Sequence, residues 1–155
     1  MQTVRAVIVD DEPLAQDGLR ILLEREKSMQ VDGICSNGRE AVAAIRELQP
    51  DVVFLDIEMP RMNGFDVIRE IGAEQMPLVI FVTAYDQYAV DAFNFHAMDY
   101  LLKPVVGDEL QEAVEKSIRN NNRFSRWCFS FQRGCTGTNN ADQAFKLQAK
   151  DAITI

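Results

Sequence analysis

Short apolar runs alternate with helix-patterned stretches from the first residues to about residue 120. Val7-Ile8-Val9, Val52-Val53-Phe54-Leu55, Val79-Ile80-Phe81-Val82 and Tyr100-Leu101-Leu102 are rich in branched and aromatic residues and too short for helices. Such runs suit strands buried on both faces of a parallel sheet. The spacing predicts strands near 4–9, 30–35, 51–56, 78–83 and 99–102, the second being the weakest. Between them it predicts helices at about 13–26, from Asn37 onward, and at 64–73, 87–96 and 107–120. Pro13 suits a first helical position. Asn37 suits a helix cap, with Glu40 placed to complete a capping box. Leu110, Ala113, Val114, Ser117 and Ile118 share one mostly apolar helix face. Five strand–helix alternations with short connections describe a parallel sheet covered by helices on both sides.

The organisation changes at Asn120-Asn121-Asn122. Beyond it, Gly134 to Asn140 reads as flexible, Phe129 and Phe131 alternate with polar residues, and Phe145 to Leu147 with Ala152 to Ile155 fits short strands. The expected domains are 1–120 and a linker or tail over 121–155.

Each of the four strongest runs ends in a polar residue. They end at Asp10-Asp11, Asp56, Thr83 and Lys103-Pro104. In an open α/β sheet, ligands bind beyond the carboxyl ends of the strands, where the strand order reverses. Three carboxylates, a hydroxyl and an amine are therefore expected in one crevice.

Composition narrows the partners. The formal net charge is −8, but residues 1–119 hold 22 acidic against 11 basic residues, while residues 120–155 hold two against five. An acidic body argues against nucleic-acid binding by the body itself, because phosphate backbones need a positive face. The tail is too sparse in charge to bind DNA well. No apolar stretch approaches a membrane span and no signal-peptide pattern opens the chain, so a cytoplasmic protein without membrane association is expected. Cys35, Cys128 and Cys135 show no CxxC pairing and read as idle thiols. His96 lies in a segment predicted helical and lacks nearby cysteines for a zinc site.

Asp10, Asp11 and Asp56 would repel one another unless a positive charge sat between them. A hard divalent cation, Mg²⁺ above all, is the simplest answer. A carboxylate beside such an ion can attack a phosphoryl group to give an aspartyl phosphate. Thr83 would donate to one phosphoryl oxygen, and Lys103 would bind another as a point charge. The Lys103-Pro104 bond is a candidate for a cis peptide. Individually, a strand-terminal Asp is more often a cap or turn residue, Thr83 a strand residue and Lys103 a surface charge. Their joint placement favours the chemistry.

With these residues in family order, the chain resembles the receiver domain of two-component response regulators over roughly residues 4–120. The motifs are Val9-Asp10-Asp11-Glu12-Pro13, Leu55-Asp56 through Asn63-Gly64, Thr83-Ala84 and Lys103-Pro104. The resemblance implies a flavodoxin-like (CheY-like) doubly wound sheet of five parallel strands, here with a C-terminal extension. It implies Asp56 as phosphoacceptor from a sensor histidine kinase. It implies a Mg²⁺ site in which Asp11 is the chief acidic ligand, helped by Asp10, Asp56 and the backbone carbonyl of Glu58. Thr83 and Lys103 match the switch hydroxyl and the phosphate-binding lysine, and Tyr100 matches the switch aromatic, although Tyr100 is equally a packing residue on sequence alone. The resemblance implies a phosphoacceptor signalling domain that assists its own phosphorylation and dephosphorylation, not an enzyme.

A finer resemblance lies in Thr83 to Phe93 and Ala97 to Pro104, which are similar to LytTR-type (LytR/AlgR-like) regulators. These carry a DNA-binding domain after the receiver, and Phe145 to Ile155 is weakly similar to its first strand. Either the tail is the start of a truncated output domain, the reading favoured here, or the chain is a receiver with a divergent tail; DNA binding would belong to the longer parent protein. Phosphorylation is expected to reshape the face of helix four, strand five and helix five, which carries Tyr88, Phe93 and Phe95, and to pair two chains through it. Rival readings are weaker. A haloacid-dehalogenase-like phosphatase would place its nucleophile strand early and an acidic pair after the lysine. A flavodoxin-like FMN binder would not place Asp10-Asp11-Glu12 against a phosphate. Nothing favours a degenerate or stand-alone receiver that acts only by protein–protein interaction, because no element of the phosphorylation set is missing.

Overall fold

Burial separates the alternate residues of each apolar run onto two faces of one sheet. In a computed structural model, which describes residues 3–131 and the side chains of 3–120, the sheet has the order β2-β1-β3-β4-β5, all parallel. The strands are β1 (Val4–Val9), β2 (Met29–Cys35), β3 (Val52–Leu55), β4 (Leu78–Thr83) and β5 (Asp99–Leu102). The helices are α1 (Pro13–Glu24), α2 (Gly38–Leu48), α3 (Gly64–Ile71), α4 (Ala89–Asn94) and α5 (Gly107–Phe131). This is the doubly wound, flavodoxin-like arrangement expected from the sequence.

Val7, Val9, Val53, Leu55, Val79 and Phe81 face α2 and α3, where they meet Ala41, Ile45, Phe65 and Ile68. Val4, Ala6, Ile8, Val52, Phe54, Ile80 and Val82 face α1 and α5, against Leu19, Leu23, Leu110, Ala113 and Val114. The period of two is invisible in hydrophobicity because both faces are covered. Each fully buried side chain of this size, such as Leu23, Phe54 or Phe81, contributes roughly 1.5–3 kcal/mol of transfer free energy.

The helix ends depart from the sequence reading in instructive ways. Asn37 caps α2 by accepting from the Glu40 N–H. The Glu40 carboxylate, however, accepts from Ser36 N–H, one residue earlier than a capping box requires. The reciprocal box is found instead at α3, where Asn63 accepts from Asp66 N–H and Asp66 accepts from Asn63 N–H. The fourth helix is shorter than expected: a 3₁₀ turn over Asp86–Tyr88 leads into α4, which ends at Asn94. His96 lies past that end at φ 58°, in the left-handed region, rather than in the helix.

Helix α5 continues through Asn120-Asn121-Asn122 to Phe131, so the expected helix end near residue 120 is corrected. Asn is only a mild helix disfavour, and three in a row do not stop a helix once it is under way. The chain divides into two units, Met1–Asn121 and Asn122–Ile155. The expectations for Gly134 to Asn140 and for strands over 145–147 and 152–155 lie outside the described residues. Among the described residues, no helix is long and apolar enough to cross a membrane.

The start of α3 is tied to the end of β3 by a close backbone approach. A Cβ on Gly64 would lie 2.5 Å from the carbonyl oxygen of Asp56 and 3.1 Å from Ile57 Cα. Both neighbours are backbone and cannot swing aside. Gly64→Ala is expected to destabilise the protein by about 1–3 kcal/mol, as overpacking does, read as a lower urea midpoint at unchanged m-value.

Candidate functional site

The strand register alone brings the acids together. Val9 pairs with Leu55, and the Asp56 N–H donates to Val9 O at 2.9 Å, so Asp10 and Asp56 end adjacent strands side by side. These are β1 and β3, the strands flanking the point where the chain order reverses. On the far side of β3, Thr83 pairs with Leu102, and Lys103 N–H donates to Thr83 O at 2.8 Å. The Lys103-Pro104 peptide is cis, as expected.

Asp10, Asp11 and Asp56 present carboxylate oxygens that all lie within 4.8 Å of one another. Asp10 and Asp56 are buried, and Asp11 is the more open of the three. Lys103 Nζ reaches between them, 2.7 Å from Asp10 Oδ2 and 3.2 Å from Asp56 Oδ2, with Glu12 Oε1 further off at 3.9 Å. One ammonium cannot neutralise three carboxylates. The set of clustered hard oxygen donors, with a surplus of negative charge, fits a divalent cation such as Mg²⁺.

Electrostatics agree with this imbalance. Burial, reinforced by the charges of Asp10 and Asp11, pushes the Asp56 carboxyl up to about 6, even though Lys103 pulls the other way. Burial pulls on the Lys103 ammonium too, but its hydrogen bond to Asp10 and the charges of Asp56 and Asp10 outweigh that and raise it. The lysine is therefore a fixed positive charge, and Asp56 is an acid held poorly satisfied.

Other predicted residues are placed around this centre. Thr83 is fully buried at the end of β4, and its Oγ1 accepts from Tyr85 N–H at 3.3 Å. Tyr100 is half-buried, and its hydroxyl donates to Tyr85 O. Glu58 is exposed, and its side chain accepts from the Tyr88 hydroxyl at 2.5 Å. Of the three aromatics expected on the helix-four face, only Phe93 is exposed. Phe95 stacks on Phe65 at 4.7 Å between ring centroids, and Tyr88 sits edge-on to Phe65.

Three supporting roles escaped the sequence reading. Gln16 Nε2 donates to Asp10 O at 2.5 Å and to Ser36 Oγ at 3.1 Å, tying α1 to the loops after β1 and β2. Nothing in a helical glutamine signals that role. Gly64 had a signal, since Asn63-Gly64 closes one of the motifs, but nothing there marked it as a site of close approach. Tyr88 was expected on the helix-four face, but its bond to Glu58, 30 residues away, carried no signal.

The fold and this acidic, lysine-bridged site define a receiver domain, and the family comparison agrees. The response regulator receiver domain family matches residues 6–115, and the chain belongs to that family. Among curated relatives, the transcriptional regulatory protein BtsR of Salmonella typhi is 44% identical over 113 residues, covering 73% of this chain and 47% of that protein. An uncharacterised response regulatory protein of Yersinia pestis is 48% identical over 117 residues, covering 76% and 49%. The chain thus spans about half the length of the curated relatives it matches. Among solved structures, the response regulatory domain of mrkE from Klebsiella pneumoniae superposes with a TM-score of 0.71 at 29% identity, covering 77% of this chain and 98% of that one. The chain carries the receiver domain of a two-component response regulator, a signalling module, with transcriptional regulators among its homologues.

The raised Asp56 pKa has a consequence for stability. The folded protein binds a proton at Asp56 that the unfolded chain releases at its ordinary value of 3.8. Between pH 4 and about 6 the folded state therefore holds more protons, and stability falls as pH rises through that window. In EDTA at pH 7, Asp56→Asn is expected to be more stable than the parent by on the order of 2 kcal/mol, read as a higher Tm. The gain should vanish near pH 4.

Proposed function

We propose that this chain is the phosphoacceptor of a sensor histidine kinase and that Asp56 carries the phosphoryl group. The observation that carries the reading is Lys103 Nζ bridging the buried Asp10 and Asp56 carboxylates beside Asp11. Asp10, Asp11, Asp56 and the backbone carbonyl of Glu58 would hold Mg²⁺. When bound, that ion supplies positive charge to the oxygens of the transferring group.

An Asp56 carboxylate oxygen attacks the phosphorus of the kinase phosphohistidine. The new P–O bond forms as the P–N bond breaks, and the imidazole leaves with the bonding pair and takes up a proton. Lys103 stays protonated and offsets the charge on one phosphoryl oxygen, having held Asp56 in place beforehand. Thr83 leaves Tyr85 N–H and donates to a second oxygen, and Tyr100 moves with it. Such a shift needs contacts that differ between the two arrangements, and the Thr83 hydroxyl and Lys103 amine provide them.

The readout is transcriptional in this proposal. Residues 1–120 form the receiver, and 121–155 form a linker leading into a LytTR-type DNA-binding domain of a longer cytoplasmic regulator. The half-length match to BtsR, a transcriptional regulatory protein, supports an output region beyond the receiver. The phosphorylated chain pairs as a two-fold homodimer through α4, β5 and α5, where Val90, Phe93, Leu102 and Val106 are exposed apolar residues.

Two measurements test this. Incubation with a phosphorylated histidine kinase should label the chain only with Mg²⁺ present, and Asp56→Asn should abolish the label. Undiminished labelling of that variant would move the acceptor elsewhere. In sedimentation, BeF₃⁻ with Mg²⁺ should convert a monomer into a dimer at micromolar concentration, and an unchanged mass would overturn pairing by this face.

A further inference from the structure

The connection from β4 to α4 is fastened at three points. Tyr85 is held on both sides of its backbone, its N–H donating to Thr83 Oγ1 and its carbonyl accepting from the Tyr100 hydroxyl. Three residues on, Tyr88 donates to Glu58 Oε1 at 2.5 Å, reaching the loop that follows Asp56. The first fastening is local to the end of β4, and the second reaches β5, its neighbour in the sheet. The third joins the α4 side to the β3–α3 loop through side chains alone.

The Tyr88 ring is set independently of its hydroxyl. It lies edge-on to Phe65 at 6.2 Å and to Tyr85 at 6.3 Å between centroids. Phe65 in turn packs on Phe81 and Phe95, and Arg69 lies over Phe95 with its guanidinium carbon 5.1 Å from the ring centroid. The ring therefore has a fixed seat, and the hydroxyl adds one charge-assisted hydrogen bond to it. For Thr83 to turn to a phosphoryl oxygen it must release Tyr85 N–H, and the segment that then has to move is the one Tyr88 holds.

We infer that the Tyr88–Glu58 hydrogen bond is a latch that holds the β4–α4 connection in the arrangement seen here and opposes the release of Thr83. This rests on the receiver function proposed above. The latch makes Tyr88 a positioning residue: it touches no reacting atom and acts through Glu58 and Tyr85. It also sets a threshold, since any group that draws Thr83 away from Tyr85 must outweigh the latch as well.

Tyr88→Phe tests the idea while keeping the ring against Phe65. BeF₃⁻ binding in Mg²⁺, titrated calorimetrically on the full chain, should tighten by about three- to tenfold, the range expected for losing one partly exposed hydrogen bond to a charged group. Amide exchange over residues 86–94 should quicken in the same variant before any ligand is added. In a Glu58→Ala background, the further change Tyr88→Phe should produce no additional tightening, because the bond is already gone. Unchanged or weaker BeF₃⁻ binding by Tyr88→Phe, with a parent that binds normally, overturns the latch alone. A parent that does not bind BeF₃⁻ overturns the receiver chemistry, and the latch with it.

Discussion

Three carboxylates crowded at the ends of two adjacent strands are the constraint around which this molecule is organised. Parallel pairing of β1 with β3 makes the crowding unavoidable, because Val9 and Leu55 are partners and the next residue on each strand is an aspartate. The cost is local and is seen in Asp56, whose acidity is weakened chiefly by burial. Lys103 relieves part of it from two strands away, through an ion pair to each buried acid. A sheet with large apolar cores on both faces can carry such a site, since its stability comes from side chains well removed from it.

The loops above the sheet serve to keep that charge in register. Glu12 N–H and Gln16 Nε2 fix Asp10 through its carboxylate and its carbonyl. Gly64 lets α3 begin against the Asp56 carbonyl, and the Asn63–Asp66 box closes the helix start at the same place. Metal-binding chemistry of this kind depends on oxygen positions more than on oxygen count, so these supports matter as much as the acids.

Much of this was legible in the sequence for a simple reason. Strands buried on both faces need unbroken apolar runs, and a site at their carboxyl ends must take its residues from the next positions. Asp10, Asp56, Thr83 and Lys103 are found where those runs stop. What stayed hidden depends on distance in the chain or on competition between local partners. Glu40 had the right spacing for a capping box, yet Ser36 N–H captured its carboxylate. The asparagines at 120–122 have weak intrinsic preference, and α5 runs on to Phe131 regardless. Phe95 and Tyr88 looked like surface aromatics of a helix face, but their seat is Phe65 in α3, which no periodicity within α4 could indicate.

The dipeptide Asn63-Gly64 carries a chemical liability as well as a structural role. Asparagine followed by glycine is the pairing most prone to deamidation, in which the glycine nitrogen attacks the side-chain amide carbon and closes a succinimide ring. Here that nitrogen donates to Ile57 O at 2.9 Å, and the amide oxygen accepts from Asp66 N–H. Neither atom is free to approach the other while the loop is folded. Covalent ageing at this position is therefore gated by opening of the loop, so the chemical shelf-life of the signalling site becomes a property of its fold.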